Sequence, residues 1–442
     1  MNPLHKEVDA RFSAGDFVGA LRVTEFGLAK NPFDLNLYRA TAKLHQVMRN
    51  PYAAERWYTA LIDHSPPRYA DFYDRSSARN EQCNYPGVIE DLNRAELIRN
   101  DDVQLYLRRG GAYWEMNDWA KADADFKRVL QLDPNHPEGV WVRGLLDLQQ
   151  SKFGTGWPRY EARWRSQRFK SNRLVTQKPQ WSPNSKLRRV LVWGEQGIGD
   201  QILYASMLPV LRSMVDKVTM LIDPRLIDLF RRSMPDVDFL PNTSEVSVDE
   251  HDSHLPIASI GAQFVHSIDD IEKNVARSYL RVDPNKIPTG IPRDKPIIGI
   301  SWTSNAVKIG PHKSIPIDQI EPLLSDKFTF VNLQYVKNST DKRHPMILPS
   351  PVDCLMDLDG LASLVSICDC VVSVSSSTVH MAAAVGRPVL LMDANKLWYW
   401  GNRDENNVSY WYPSVKIFPR DHVMAPWGPV VRAVRDELNR RF

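Results

Sequence analysis

The 442-residue chain holds only four cysteines, Cys83, Cys354, Cys368 and Cys370, and none stand as C-x-x-C. That scarcity excludes a disulfide framework and predicts buried thiols in a reducing cytosol. No stretch approaches the roughly 18 apolar residues of a membrane span, so no transmembrane segment is expected. The first residues, Met1 to Glu7, lack the apolar core of a secretory signal, which predicts a cytoplasmic location. Charge of one sign is also scarce. Fifty-six basic residues face 53 acidic ones, a net +3, too mild to point to nucleic acid. Asp, Glu, His and Cys nowhere cluster at metal-ligand spacing, so no metal site and no bound cofactor are predicted. What remains is an ordinary soluble composition, 43% hydrophobic and 25% charged, long enough for two to four domains. Thirteen tryptophans are spread along it.

The N-terminal third repeats every 34 residues. Tyr38, Phe72 and Tyr106 share one phase, and Ala42, Ser76 and Gly110 another. Ala20, Ala54, Val88 and Ala122 form a third, Tyr58, Leu92 and Phe126 a fourth. Pro32, Pro66, Asn100 and Pro134 punctuate the period, and Asp16, Asn50 and Asp118 mark a turn within it. A large residue and a small one four positions later lie on one helical face, and the small one admits a partner helix. The proline falls where a second helix must stop. The stretch from Tyr106 to Pro134 resembles a tetratricopeptide repeat position by position. Four repeats are therefore read over residues 1–136, with a further helix pair from Pro137 closing the stack. One such repeat cannot bury its own face, so the array is expected to be a superhelical solenoid whose surface binds a protein or only braces the chain.

From Gln150 to Val190 the composition shifts. Eleven basic residues, among them Arg163, Arg165, Lys170 and Arg173, accompany a single acid, Glu161, a local excess of ten positive charges. Trp157, Trp164 and Trp181 interleave with them. Such a segment suits either an anion site or a solvated connector whose tryptophans fill a seam.

The remaining chain alternates apolar strands with amphipathic helices. Strands are predicted at 189–193, 218–222, 237–240 and 254–257. After a proline-rich break near 283–296 the pattern restarts at 297–302, 328–333, 370–374 and 388–392. This alternation implies parallel, doubly wound sheets. Two Rossmann-like lobes facing a cleft are expected; a single large sheet is the alternative. The resulting division is helical repeats over 1–149, a basic junction over 150–186, and lobes over 187–285 and 286–442.

Ligands of such sheets bind at the carboxyl ends of strands. One loop there is Gly197-Ile198-Gly199-Asp200, where glycine admits a close backbone approach and a helix start offers free N–H groups. The third glycine of a dinucleotide fingerprint is missing, which speaks against a nicotinamide-dependent oxidoreductase. Asp200 suits either a helix cap or a catalytic carboxylate. A second loop, Ser375-Ser376-Ser377-Thr378-Val379-His380, places hydroxyls at a helix start, where they suit phosphate oxygens or ordinary helix caps, and His380 suits either a phosphate or the core. Between them, Ser301 opens a post-strand loop whose two lysines, Lys308 and Lys313, suit either neutralising a diphosphate or an exposed basic loop.

Trp193-Gly194-Glu195-Gln196-Gly197-Ile198-Gly199-Asp200 resembles the signature of bacterial tetratricopeptide-repeat glycosyltransferases, relatives of the ADP-heptose:lipopolysaccharide heptosyltransferases. The Gly156–Trp164 segment, the Lys313–Pro316 turn, the Ser373–His380 loop and Trp411-Tyr412-Pro413 are similar to the family's pattern in the same order. The layout is also similar to that of protein O-GlcNAc transferase. The resemblance implies a GT-B fold, a nucleotide-sugar donor and an inverting, metal-independent transfer to a protein or glycan acceptor. It implies Asp200 as the base, and Lys313, Ser376, Ser377 and His380 at the donor phosphates. Where the family has S-V-D-T this chain has Ser373-Val374-Ser375-Ser376, so an acidic residue is replaced by Ser375. A non-catalytic repeat scaffold with a degenerate transferase half is therefore the alternative.

Overall fold

The computed structural model describes residues 3–66, 68–195, 197–243, 250–305, 310–335, 346–394 and 397–442. The chain divides into two compact units, Met1–Gly139 and Val140–Phe442. The first unit holds α1 (Pro3–Ser13), α2 (Phe17–Lys30), α3 (Leu35–Val47), α4 (Pro51–His64), α5 (Tyr69–Glu81), α6 (Tyr85–Ile98), α7 (Val103–Glu115) and α8 (Trp119–Leu132). Helix α9 (Pro137–Gln149) contains the division.

The 34-residue period has a structural cause at each phase. The second helix of every pair starts on a side-chain cap: Asp16, Asn50, Asn84 and Asp118 each accept the backbone N–H three residues on. A cap of this kind is worth about 1 kcal/mol. Asn84 completes the turn series read as Asp16, Asn50 and Asp118. One residue earlier the backbone is left-handed at Gly15, Arg49, Cys83 and Asn117, and again at Ser151 in the turn after α9. Ala20, Ala54, Val88 and Ala122 are fully buried. A Cβ on Gly110 would stand 2.6 Å from the Phe126 ring, which is why the small-residue phase permits α7 to approach α8. The last two pairs add a device that hydrophobic periodicity does not reveal. Arg75 is paired with Asp91 at 2.6 Å and Arg109 with Asp125 at 2.8 Å, all four side chains buried. The spare guanidinium N–H of each reaches Thr59 and Asn93, again 34 residues apart.

The second unit continues with α10 (Phe153–Tyr160), β1 (Arg189–Trp193), α11 (Ile198–Ala205), α12 (Leu208–Met214), β2 (Lys217–Ile222), α13 (Ile227–Ser233), β3 (Asp238–Pro241), β4 (Ser253–Pro256), α14 (Ile260–Phe264) and α15 (Ile268–Asn274). Then come β5 (Ile297–Ser301), α16 (Gly310–Lys313), α17 (Ile317–Ile320), β6 (Thr329–Asn332), β7 (Ile347–Leu348), α18 (Leu358–Ser366), β8 (Cys370–Val374), α19 (Ser377–Val385), β9 (Val389–Asp393), β10 (Val415–Pro419) and α20 (Gly428–Arg441). Its strands form two sheets, ordered β3-β2-β1-β4 and β10-β9-β8-β5-β6-β7, and every pairing is parallel. The single large sheet is thereby excluded. All eight expected strands are present within a residue or two. The short β7 and the edge strand β10 were not expected.

Alternation along the strands splits the second sheet between two cores. Ile297 and Val371 face the core shared with the first sheet, whereas Ile298, Ile300, Val372 and Val374 face the opposite layer, covered by α20. Burial on both faces explains why these strands read as continuous apolar runs. Direct packing of α11 against α19 joins the two sheets. Gly386 ends α19 at φ +91°, and a Cβ there would stand 2.6 Å from the Ser278 hydroxyl.

Part of the basic segment is absorbed by this unit. Arg163 is fully buried and donates to Glu195 at 2.8 Å and to Ser259 at 2.8 Å. Arg159 pairs with Asp147, Arg188 with Asp216 and Arg189 with Asp252. The apparent local excess is thus reduced by acids far away in sequence. Trp157 is buried, donates to the Val265 carbonyl at 2.8 Å and packs edge-on against Trp398. Residues around Gln180 pair with His254, lining the free side of β4. Cys354, Cys368 and Cys370 are buried as expected. Cys83 is half-exposed, because its position is the left-handed turn. Among the described residues, no helix is long and apolar enough to cross a membrane.

Candidate functional site

Both sheets reverse their direction of growth beside their first strand. In the first sheet β2 and β3 lie on one side of β1 and β4 on the other. In the second sheet β6 and β7 lie on one side of β5 and β8 to β10 on the other. The carboxyl end of such a strand leaves a crevice that loops on either side cannot fill. A cavity of about 510 Å³ opens where the two crevices meet. Gly197, Ile198, Gly199 and Asp200 line it from the first sheet. Ser304, Asn305, Lys313, Ser375, Ser376, Ser377, His380 and Tyr399 line it from the second. A second cavity of similar size lies along β2 and β3, at neither reversal point.

Asp200 is the third residue of α11, in the electropositive first turn of the helix. The backbone at Gly197 and at Asp200 itself favours its charged form, and the residue lines the cavity. Although part of its surface opens to the cavity, dense surroundings make the charged form costly. Burial pushes its carboxyl up to about 7, with the nearby Glu195 adding to the shift and the Lys313 ammonium opposing it. Such a group exchanges a proton readily at neutral pH.

Lys313 ends α16 and is 5% exposed. Burial pulls its ammonium below the usual lysine range, while Asp393 and Asp200 hold it up. Its position is fixed by stitched backbone. Ser314 donates to the Gly310 carbonyl at 2.8 Å, Ser304 N–H donates to the Ser314 hydroxyl at 2.9 Å, and Ile315 N–H donates to Trp302 at 2.8 Å. A Cβ on Gly310 would stand 2.3 Å from the Ser304 carbonyl oxygen, so this turn closes only around glycine.

Ser376 and Ser377 stand at the start of α19, and the Ser376 side chain makes no cap. Its hydroxyl lies 3.4 Å from the Ser373 hydroxyl, and Ser376 and Ser377 bring the first turn of the helix to the cavity wall, an arrangement suited to an anion. Ser375 is otherwise occupied. It accepts the Trp400 indole N–H at 2.9 Å and is 1% exposed.

Three expected ligand residues are placed differently. His380 touches the cavity, but Tyr412 lies 3.2 Å from Nδ1 and Tyr399 3.3 Å from Nε2. Burial pushes its pKa down to about 3, so the imidazole is neutral and offers no cationic charge. Ser301 is fully buried and donates to Gln334 at 2.6 Å, which removes it from the cavity wall. Thr378 is also fully buried on the inner face of α19. Lys308 lies outside the described residues.

Other groups were missed by motif reading. Gln334 accepts from Ser301 and from the N–H groups of Trp302 and Thr303, fixing the loop after β5. Tyr399 brings a hydroxyl to the cavity. Arg225 lines it from the first sheet, paired with Asp223 at 2.8 Å and donating to the Leu355 carbonyl at 2.8 Å. None of these carries a local motif. Only the fold assembles them.

Residues 103–136, spanning α7, α8 and the turn after them, match the tetratricopeptide repeat family. This segment is a tetratricopeptide repeat. Across a longer stretch the chain is similar to protein FlbA of Caulobacter vibrioides (strain ATCC 19089 / CIP 103742 / CB 15), 25% identical over 389 residues. That match covers 79% of this chain and 64% of the relative, so the chain spans less than two thirds of the relative's length. Among solved structures the repeats are similar to MamA, 18% identical over 35% of this chain and 91% of that one, TM-score 0.34. They are also similar to YrrB, a TPR protein with an unusual peptide-binding site, 14% identical over 36% and 83%, TM-score 0.34.

Proposed function

We propose that the chain is a glycosyltransferase of GT-B-like layout. It moves a sugar from a nucleotide-sugar donor to a hydroxyl of a protein or glycan acceptor, with inversion. The observation that carries this reading is one cavity at the carboxyl ends of both parallel sheets, with Asp200 on one wall and Lys313 on the other. The donor diphosphate lies against the start of α19, held by Ser376, Ser377 and the helix amides. Lys313 offsets the charge that develops on the departing diphosphate. With His380 neutral, that task falls on Lys313 and the helix start alone. The proposal assigns the offsetting of the leaving diphosphate's charge to these protein groups and assigns no metal. Asp200 accepts the acceptor's hydroxyl proton as its oxygen attacks the anomeric carbon. The bond from that carbon to the phosphate oxygen breaks on the opposite face. An aspartate with a pKa near 7 is matched to this work at neutral pH. The repeats would recruit the acceptor or a protein partner.

A second reading is a repeat scaffold without catalysis. It is favoured by Ser375, whose hydroxyl serves Trp400 where relatives carry an acid. Calorimetric titration with a panel of nucleoside diphosphates separates the two. Binding that Lys313→Ala abolishes supports the transferase; no binding by any member supports the scaffold.

A further inference from the structure

The basic segment is not wholly consumed by the fold. Arg165, Lys170 and Arg173 are exposed, and among the described residues no carboxylate pairs with them. Between Arg165 and Arg189 the sequence contains no Asp or Glu. The strap has almost no regular structure beyond Arg165, yet it is anchored at both ends. Arg163 grips the Glu195 carboxylate and Ser171 donates to the Glu195 backbone carbonyl. Trp164 and Phe169 pack edge-on at 5.1 Å, with Trp164 also against Trp193. Glu195 lies two residues before Gly197, which lines the cavity. Uncompensated cations are therefore carried on a backbone tied to the residue two before Gly197.

We infer that this strap is a docking surface for an acidic polypeptide segment. Exposed like charges on a fixed backbone attract and orient a partner of opposite sign. The chemistry favours a polypeptide over other polyanions. Single-stranded nucleic acid asks for exposed aromatic platforms, but Trp164 and Phe169 are only half-exposed and pack edge-on against each other. The strap is irregular, so it forms no interfacial helix with an apolar face, which is one mode of membrane binding. On the transferase reading proposed above, on which this link rests, the docked segment belongs to the acceptor and is delivered next to Asp200.

The test uses the full chain and fluorescence anisotropy with labelled poly-glutamate. Binding should weaken with salt. The variant Arg165→Glu, Lys170→Glu, Arg173→Glu should lower affinity at least about tenfold, or about 1.4 kcal/mol. The glutamine triple should fall between, and far-UV circular dichroism should show both folded. Vesicles of phosphatidylglycerol and phosphatidylcholine and an oligothymidine serve as rival probes. Unchanged poly-glutamate affinity in the charge-reversed variant overturns the proposal, as does a rival probe binding more tightly through the same three residues. Lys313→Ala should leave poly-glutamate binding intact, and the strap variants should leave nucleoside diphosphate binding intact. Failure of nucleotide binding alone thus sinks the transferase and not the docking surface.

Discussion

Replacing Asp200 by Asn should stabilise the second unit while removing the proposed base. The carboxyl ionises near 3.8 in the unfolded chain and about 7 in the folded one. The folded chain therefore binds this proton more tightly. Below about pH 4 both states hold it and no penalty exists. As pH rises from about 4 to about 7 the folded state is progressively destabilised; above that the penalty is constant. At 1.36 kcal/mol per tenfold change in proton affinity the full penalty is about 4 kcal/mol, and water in the cavity reduces it to about 2–4. Asparagine keeps the shape and carries no charge. Urea unfolding followed by tryptophan emission should show it about 1 kcal/mol ahead near pH 5 and about 2–4 ahead near pH 8.5. The pH-dependence, not the absolute difference, carries the argument. A wild-type-to-Asn gap that stays the same at both pH values would refute the claim that burial raises this carboxyl. Stabilisation on losing a polar group is what a strained functional site predicts.

Four further outcomes follow from the same geometry. Arg109→Ala leaves Asp125 buried without its partner and should cost the repeat unit about 3–5 kcal/mol in urea unfolding, most of it recovered by Arg109→Met with Asp125→Leu. Gly199→Ala puts a Cβ 2.7 Å from the His380 ring, so α11 must part from α19; about 1–3 kcal/mol of stability and any nucleotide binding should be lost together. The His380 imidazole should show no titration by nitrogen NMR between about pH 5 and 8, since burial holds it neutral down to about 3. Gly386→Ala meets a left-handed backbone and the Ser278 hydroxyl at once, and should lower the thermal midpoint through a loss of at least about 1–2 kcal/mol.

Much of this architecture was legible because its signals are local. The 34-residue period records one helix pair repeated, and each phase answers to a cap, a left-handed turn or a close helix contact. Continuous apolar runs fixed the strands, since a parallel sheet buried on both faces has no polar side to alternate. The glycine and hydroxyl loops were found because a strand followed by a helix start is also a local event. The Arg75–Asp91 and Arg109–Asp125 clamps were not foreseen. Their 16-residue separation falls outside the spacings that mark one helix face.

Residue chemistry alone could not decide environment. The family resemblance placed His380 beside phosphate, where the residues alone left phosphate or core open, and the sequence counted ten excess charges between Gln150 and Val190. Tertiary structure surrounds that histidine with tyrosines and pairs Arg159, Arg163, Arg188 and Arg189 with acids from Asp147 to Asp252. It also gathers Asp200, Lys313 and Tyr399 from strand ends up to two hundred residues apart into one cavity. Secondary structure follows from neighbours along the chain. Burial, charge state and the meeting of two crevices depend on neighbours in space, which only the folded chain supplies.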